Sequence, residues 1–156
     1  MKGTTMKIIK LAVPSLFTTL AGLSFITTAA PVEIALSPVQ SAKGQIVVKV
    51  YQQQKNWMSE DEGESFMTHI HSFTEEQPGD PEMINFDLPE GDYALFLYQD
   101  LDMDSEMKTN WIGIPKEPVG TSNDAKGKMG PPDFDDALFN VPSEGTKLKI
   151  TLSSID

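Results

Sequence analysis

The chain has 156 residues and a formal net charge of −11, contains no cysteine, and takes all twelve of its basic residues from lysine. It therefore has no means of making a disulfide, a thiolate metal site, a cysteine nucleophile or a lipoprotein anchor. Without arginine an acidic chain also lacks the usual grip on phosphate, which sets aside nucleic acid and anionic membrane surfaces as partners. Calcium or a cationic partner is compatible with the charge, although acidity alone implies only solubility.

The N-terminus, "MKGTTMKIIK", carries Lys2, Lys7 and Lys10 with no acid, and the apolar "LAVPSLFTTLAGLSFI" and the small-residue stretch "TTAAP" follow it. This is the layout of a cleavable signal peptide over residues 1–30, with the cut near Ala29 or Ala30. An uncleaved anchor is the alternative, but residues 11–26 are short for a membrane span and Pro14 interrupts them. The expected location is secreted or periplasmic. Loss of three lysines takes the formal charge of the remainder to −14. Nothing further along is apolar for long enough to cross a bilayer. What remains has the size of one domain, resting on a hydrophobic core alone.

Residues 31–43, "PVEIALSPVQSAK", hold two prolines and read as an N-terminal lead-in to a single domain over residues 44–156. "GQIVVKVYQ" alternates, with Ile46, Val48 and Val50 on one face, and predicts a strand with that face buried. Residues 52–73 permit either a short amphipathic helix using Trp57, Met58, Phe66, Met67 and Ile70, or a strand over 66–73 after an acidic loop. "MINFDL" places Ile84, Phe86 and Leu88 inward. "PEGD" reads as a tight turn, and "YALFLYQ", apolar on both faces, reads as a central strand, so that the two form an antiparallel hairpin. "NWIGIP" reads as a brief strand ended by Pro115. Residues 115–132 make a long loop, a feature that in a compact domain is often functional. "PPDFDDALF" offers Asp133 as an N-cap and one or two helical turns. "TKLKITL" turns Leu148, Ile150 and Leu152 inward. The expected fold is all-β, an antiparallel two-sheet sandwich of immunoglobulin-like or transthyretin-like kind with one or two short helical turns.

In "YQDLDMDSEMK", the residues Asp100, Asp102 and Asp104 alternate just after the central strand. Such spacing can wrap calcium, which takes several oxygen ligands. It can also simply solvate a loop. Acid–base catalysis is disfavoured, since neighbouring exposed carboxylates mostly stay ordinary anions. In the 115–132 loop, Glu117, Ser122 and Asn123 offer polar contacts to a ligand, against the alternative of a crossover whose glycines and prolines serve geometry alone. His69 and His71 share one face of a strand and can meet one transition metal, but two ligands seldom suffice. Ser65 or Ser72 lacks any nucleophile-elbow context. The methionines, among them Met103 and Met107, suit gap-filling better than a copper site.

"LPEGDYALFLYQDLDMD" and "WIGIPKEPVGTSNDAKGKMGPPDFDDALFNV" together resemble the bacterial family called domain of unknown function 2141, from about Gly44 to Leu152. The resemblance implies a secreted β-sandwich and brings no established activity. It also implies an aspartate loop of the form H-D-x-N-x-N-G-x-L-D, similar to a calcium-loop fragment. This chain departs from that form at Gln99 for the histidine, Ser105 for the turn glycine and Lys108 for the closing aspartate, with Glu106 as a substitute ligand. A lysine at that position favours a lysine-neutralised loop over a bound ion. The expected function is a non-catalytic binding or structural module of the cell envelope, with a divalent cation, Ca2+, as the candidate ligand of the aspartate loop. The alternative is a metal-free module binding a protein or glycan through residues 115–132, and a third class is an enzyme whose site the long polar loop hides.

Overall fold

The computed structural model describes residues 28–61, 63–128 and 130–155. The signal-peptide reading, except for its last three residues, lies outside them. Eight strands build two packed sheets: β1 (Ala29–Ser37), β2 (Gln45–Tyr51), β3 (Met67–Ser72), β4 (Glu82–Pro89), β5 (Gly91–Asp100), β6 (Val119–Thr121), β7 (Leu138–Val141) and β8 (Thr146–Thr151). One sheet runs β4-β1-β8, and the other runs β3-β2-β5-β6 with β7 also paired to β5. Among the described residues the helical content is one turn, α1 (Phe134–Ala137), and two 3₁₀ turns at Gln54–Asn56 and Ser122–Asp124. The fold is an all-β two-sheet sandwich, as the alternating runs predict. Residues 67–72 take the strand alternative, not the helix.

Three expectations need correction. Residues 31–37 are not a lead-in, because β1 lies at the centre of its sheet, antiparallel to β4 and parallel to β8. Val32, Ile34 and Leu36 alternate into the core and are fully buried. The flanking prolines hid this period of two. Pro31 is tolerated because it pairs only with β4, the register with β8 starting at Val32. The β1–β8 pair also makes that sheet mixed rather than purely antiparallel.

The second correction concerns "PEGD". β4 and β5 do not form a hairpin; they belong to different sheets, and the turn carries the chain from one to the other. The Tyr93 hydroxyl donates to the carbonyl of Pro89 at 2.9 Å and braces this corner. The two strands differ in patterning for the same reason. β4 keeps Met83, Asn85 and Asp87 in solvent, whereas β5 is buried on both faces from Tyr93 to Asp100. The third correction is that "NWIGIP" forms no strand. It is a turn closed by a bridge between Thr109 and Pro115.

Two cores result. Between the sheets lie Val32, Ile34 and Leu36 of β1, Ile46, Val48 and Val50 of β2, Ile84 and Leu88 of β4, and Tyr93, Leu95 and Leu97 of β5. The outer face of the larger sheet carries a second cluster, Val47, Tyr51, Ala94, Phe96 and Tyr98, covered by Phe134 and Ala137 of α1 and by Trp57. The Trp57 ring packs edge-on against Tyr51 and Phe134, and its indole N–H donates to the Pro132 carbonyl at 2.8 Å. That contact fixes the end of the 115–132 segment over the sheet. Asp133 takes the N-cap position of α1 without a side-chain cap bond.

Candidate functional site

At the end of β5 the chain winds around one carboxylate. Asp100 is fully buried and accepts hydrogen bonds from the Gln45 amide (2.9 Å) and from the backbone N–H groups of Met103 (2.7 Å) and Ser105 (2.8 Å). Met103 and Ser105 both take φ of 63°, in the left-handed region that favours glycine. The strand entering β2 comes close behind this loop: a side chain on Gly44, whose φ is 75°, would meet the Asp100 carbonyl oxygen. Burial pushes the Asp100 carboxyl up, but the Gln45 amide and the surrounding N–H groups favour the anion and hold it below the usual carboxylate range.

Glu117 supports the same loop from the neighbouring segment. It is 3% exposed and accepts from the N–H groups of Leu101 (2.9 Å) and Lys108 (3.1 Å). Asp100, Asp102 and Glu117 each bring a carboxylate oxygen within 4.8 Å of the others. Asp104, the third residue singled out in the sequence, lies outside this group. Its carboxylate pairs with the Lys108 ammonium at 2.5 Å, and the same ammonium reaches Asp102 at 3.2 Å. The hydrogen bond from Lys108 lowers the Asp104 pKa, and in return Asp104 and Asp102 raise that of Lys108. As a calcium site the group fits in part. The three converging oxygens are about half of the six to eight that calcium takes, and a lysine already engages one of the three carboxylates. Glu106 puts its N–H on Asp104, and its side chain is not part of the group.

The segment expected to be a long loop carries a short strand and a 3₁₀ turn at its centre. Val119–Thr121 forms β6, paired to β5 through Phe96, Leu97 and Tyr98, while β7 pairs with residues Gly91 to Ala94. Leu95 falls between the two partners, and the Ser122 hydroxyl fills the gap. It accepts from the Leu95 N–H at 2.9 Å and donates to the Ala137 carbonyl. Asn123, at φ 59°, donates to the carbonyls of Leu138 (2.7 Å) and Asp136 (3.2 Å). Gly120 lets β6 press onto β8, since a Cβ there would sit 2.8 Å from the Ile150 side chain. Glu117, Ser122 and Asn123 thus bond to the protein itself, and Glu117 belongs with the aspartate loop.

Past Asp124 the character changes. The turn at residues 109–115, residues 124–127 and 130–132 and the C-terminal tail enclose a groove of about 830 Å³, whose lining includes Met107, Ile112, Val119, Ala125, Lys126 and Ile155. The turn is held by Asn110, whose side-chain oxygen accepts from the N–H groups of Ile112 and Ile114, both at 3.0 Å. Its tip leaves Trp111 94% and Ile112 56% exposed. Asp124, on the groove wall, accepts from the Thr151 N–H (2.6 Å) and hydroxyl (3.1 Å). Sequence reasoning marked this segment for its polar residues and passed over its apolar ones. The clue was available in "NWIGIP", a turn with two isoleucines and a tryptophan.

The histidines take a different part. His71 meets Glu82 of β4 at 2.7 Å across the two sheets, and His69 stacks on Phe86 with ring centroids 5.0 Å apart. Burial, and secondarily the nearby His71, lowers the His69 pKa. Among the described residues the carboxylate group above is the one set of three or more metal-binding side chains that converge, and neither histidine belongs to it. Met58 and Met107 pack against the second core.

Residues 34–149 match the model of a family described as an uncharacterised protein conserved in bacteria, domain of unknown function 2141. The chain belongs to this family. The match begins within β1, so the family domain includes the strand read as a lead-in. No curated protein and no solved structure matches the chain. Among the described residues, no helix is long and apolar enough to cross a membrane.

Proposed function

We propose that this member of the domain of unknown function 2141 family is a non-catalytic binding module of the cell envelope, exported by its N-terminal signal, and that it binds through the groove beside residues 115–132. The observation that carries this reading is the groove itself. Ligand pockets of about 300–1,000 Å³ are mostly apolar with a few polar groups, and this one has that size and that lining. Large apolar side chains left in solvent at one rim are informative where scattered ones are not. Glu117, Ser122, Asn123 and Asp124 are engaged within the protein, so the groove offers apolar contact more than hydrogen bonding. That favours an apolar ligand over a glycan.

The test uses a neutral apolar fluorophore, N-phenyl-1-naphthylamine, titrated into the full chain. Saturable binding that is lost in Ala125→Trp and weakened in Ile112→Ser, with unchanged melting of the second variant, supports the reading. Equal fluorescence from the wild type and both variants overturns it.

A second reading keeps the cation. Its support is that two of three converging carboxylates, Asp100 and Glu117, are buried side by side, an arrangement a divalent ion would stabilise. Lys108 competes for it. Under this reading Lys108→Met raises the melting midpoint in millimolar calcium more than in magnesium. An equal response to both ions in that variant removes it.

A further inference from the structure

Proceeding from the groove reading above, we infer that its ligand is an amphiphile with an apolar chain and a single anionic head group, a long-chain carboxylate, with Lys126 as the counter-charge. Among the described residues, the groove lining contains two ionisable side chains, Asp124 and Lys126. They are not equally available. Both Asp124 oxygens accept hydrogen bonds from Thr151, at 2.6 and 3.1 Å, so its charge is already committed to holding the C-terminal strand. Lys126 is exposed and, among the described residues, has no carboxylate within salt-bridge distance, whereas Lys49, Lys108 and Lys147 each have one. The uncommitted charge of the groove is therefore positive. Lys116 and Lys128, also exposed and outside the ion pairs, stand close to it in sequence.

This local sign opposes the sign of the whole chain, formally −11. Screening decides which one a ligand meets. At physiological salt the field of distant exposed carboxylates decays over about 8 Å, while a lysine on the wall of an apolar groove acts at contact distance. A cationic amphiphile finds no free carboxylate on the lining and leaves the Lys126 ammonium facing its own charge. A neutral one satisfies the groove but not the lysine. An anionic head satisfies both, through a charge-assisted hydrogen bond from the ammonium. The rest of the ligand is held by Met107, Ile112, Val119, Ala125 and Ile155.

The experiment is displacement of N-phenyl-1-naphthylamine from the full chain by three probes that share one chain length: palmitic acid, hexadecanol and hexadecylamine. The expected order is acid first, with roughly tenfold preference over the alcohol, and the amine last. Lys126→Ala lowers acid affinity by a similar factor and leaves the alcohol unchanged, and Lys126→Arg retains the preference. Equal affinity for acid and alcohol, or a preference for acid that survives Lys126→Ala, overturns the assignment of an anionic ligand while leaving the groove reading standing. Failure of the fluorophore itself to respond to Ala125→Trp and Ile112→Ser removes the groove reading, and the ligand class with it.

Discussion

The segment 115–132 divides at Asp124 into two regions with opposite uses of their side chains. On the N-terminal side, Glu117, Ser122, Asn123 and Asp124 all reach other parts of the chain, closing N–H groups and carbonyls that the fold would otherwise leave open. On the C-terminal side, Ala125, Lys126, Gly127, Gly130, Pro131 and Pro132 form a groove wall, and one of their carbonyls, that of Pro132, serves as anchor for Trp57. Polar residues packed against backbone are saturated and rigid, whereas an apolar wall keeps its interaction surface unused. A polar run in a loop is thus poor ground for expecting a ligand, because backbone desolvation claims polar side chains first.

The largest expected effect comes from Ser122→Ala. The change leaves the Leu95 N–H and the Ala137 carbonyl without their partner at a fully buried site. With each orphaned group costing about 1–3 kcal/mol, the loss is roughly 2–6 kcal/mol, read as a drop in urea midpoint at constant slope. Groove variants such as Ile112→Ser and Lys126→Ala stay within about 0.5 kcal/mol of the wild type, as surface changes do. If Ser122→Ala proves as mild as these, the division drawn at Asp124 is wrong.

Glu117→Ala comes next. It strips the N–H groups of Leu101 and Lys108 of their acceptor, at a cost of about 1–3 kcal/mol, and Glu117→Gln recovers part of that loss because one amide oxygen remains. The pair also separates the two roles of this residue. A purely structural Glu117 is rescued by glutamine, whereas a calcium ligand is not, so the calcium response of the Lys108→Met variant distinguishes them in the double mutant.

The sheets were far more legible than the site, and the reason is physical. Side-chain alternation is local, so β2, β4, β5 and β8 can be read from a few residues each, and their inward faces are those expected. Partner choice is not local. "LPEGDY" encodes a tight turn, but whether the turn joins two strands of one sheet or two sheets depends on β1 lying beside β4. Once Pro31 and Pro38 led β1 to be read as a lead-in, the hairpin was the remaining option. The aspartate loop was half legible. Asp100 and Asp102 do converge, but Glu117 arrives from a segment fifteen residues further on, and Asp104 is drawn off by Lys108.

Acid titration sharpens the comparison further. The folded-state pKa of Asp100 lies below its unfolded value, so the native state binds the proton less readily than the unfolded chain. Its contribution to stability is complete above the unfolded pKa, near 4, and is lost as pH falls through the folded value. Stability measured from pH 5 to pH 2 should therefore fall less steeply in Asp100→Asn than in the wild type. Parallel curves would mean that the three donors around Asp100 do not discriminate between its charged and neutral forms.

The smallest effect expected is a gain. Ser105 holds φ at 63° while its N–H and carbonyl both serve the loop, the first to Asp100 and the second to the Tyr98 hydroxyl at 2.7 Å. An L-residue in that region carries a cost that glycine escapes. Ser105→Gly also gives up a long contact from the Gln45 amide to the serine hydroxyl, at 3.3 Å, but that amide keeps its shorter bond to Asp100. Relief of the backbone outweighs this loss, and glycine's greater freedom in the unfolded chain offsets part of the gain. The net is a stabilisation of about 0.5–1 kcal/mol, measured by thermal melting. A loss instead would mean that the serine hydroxyl, not the backbone, is what this position requires.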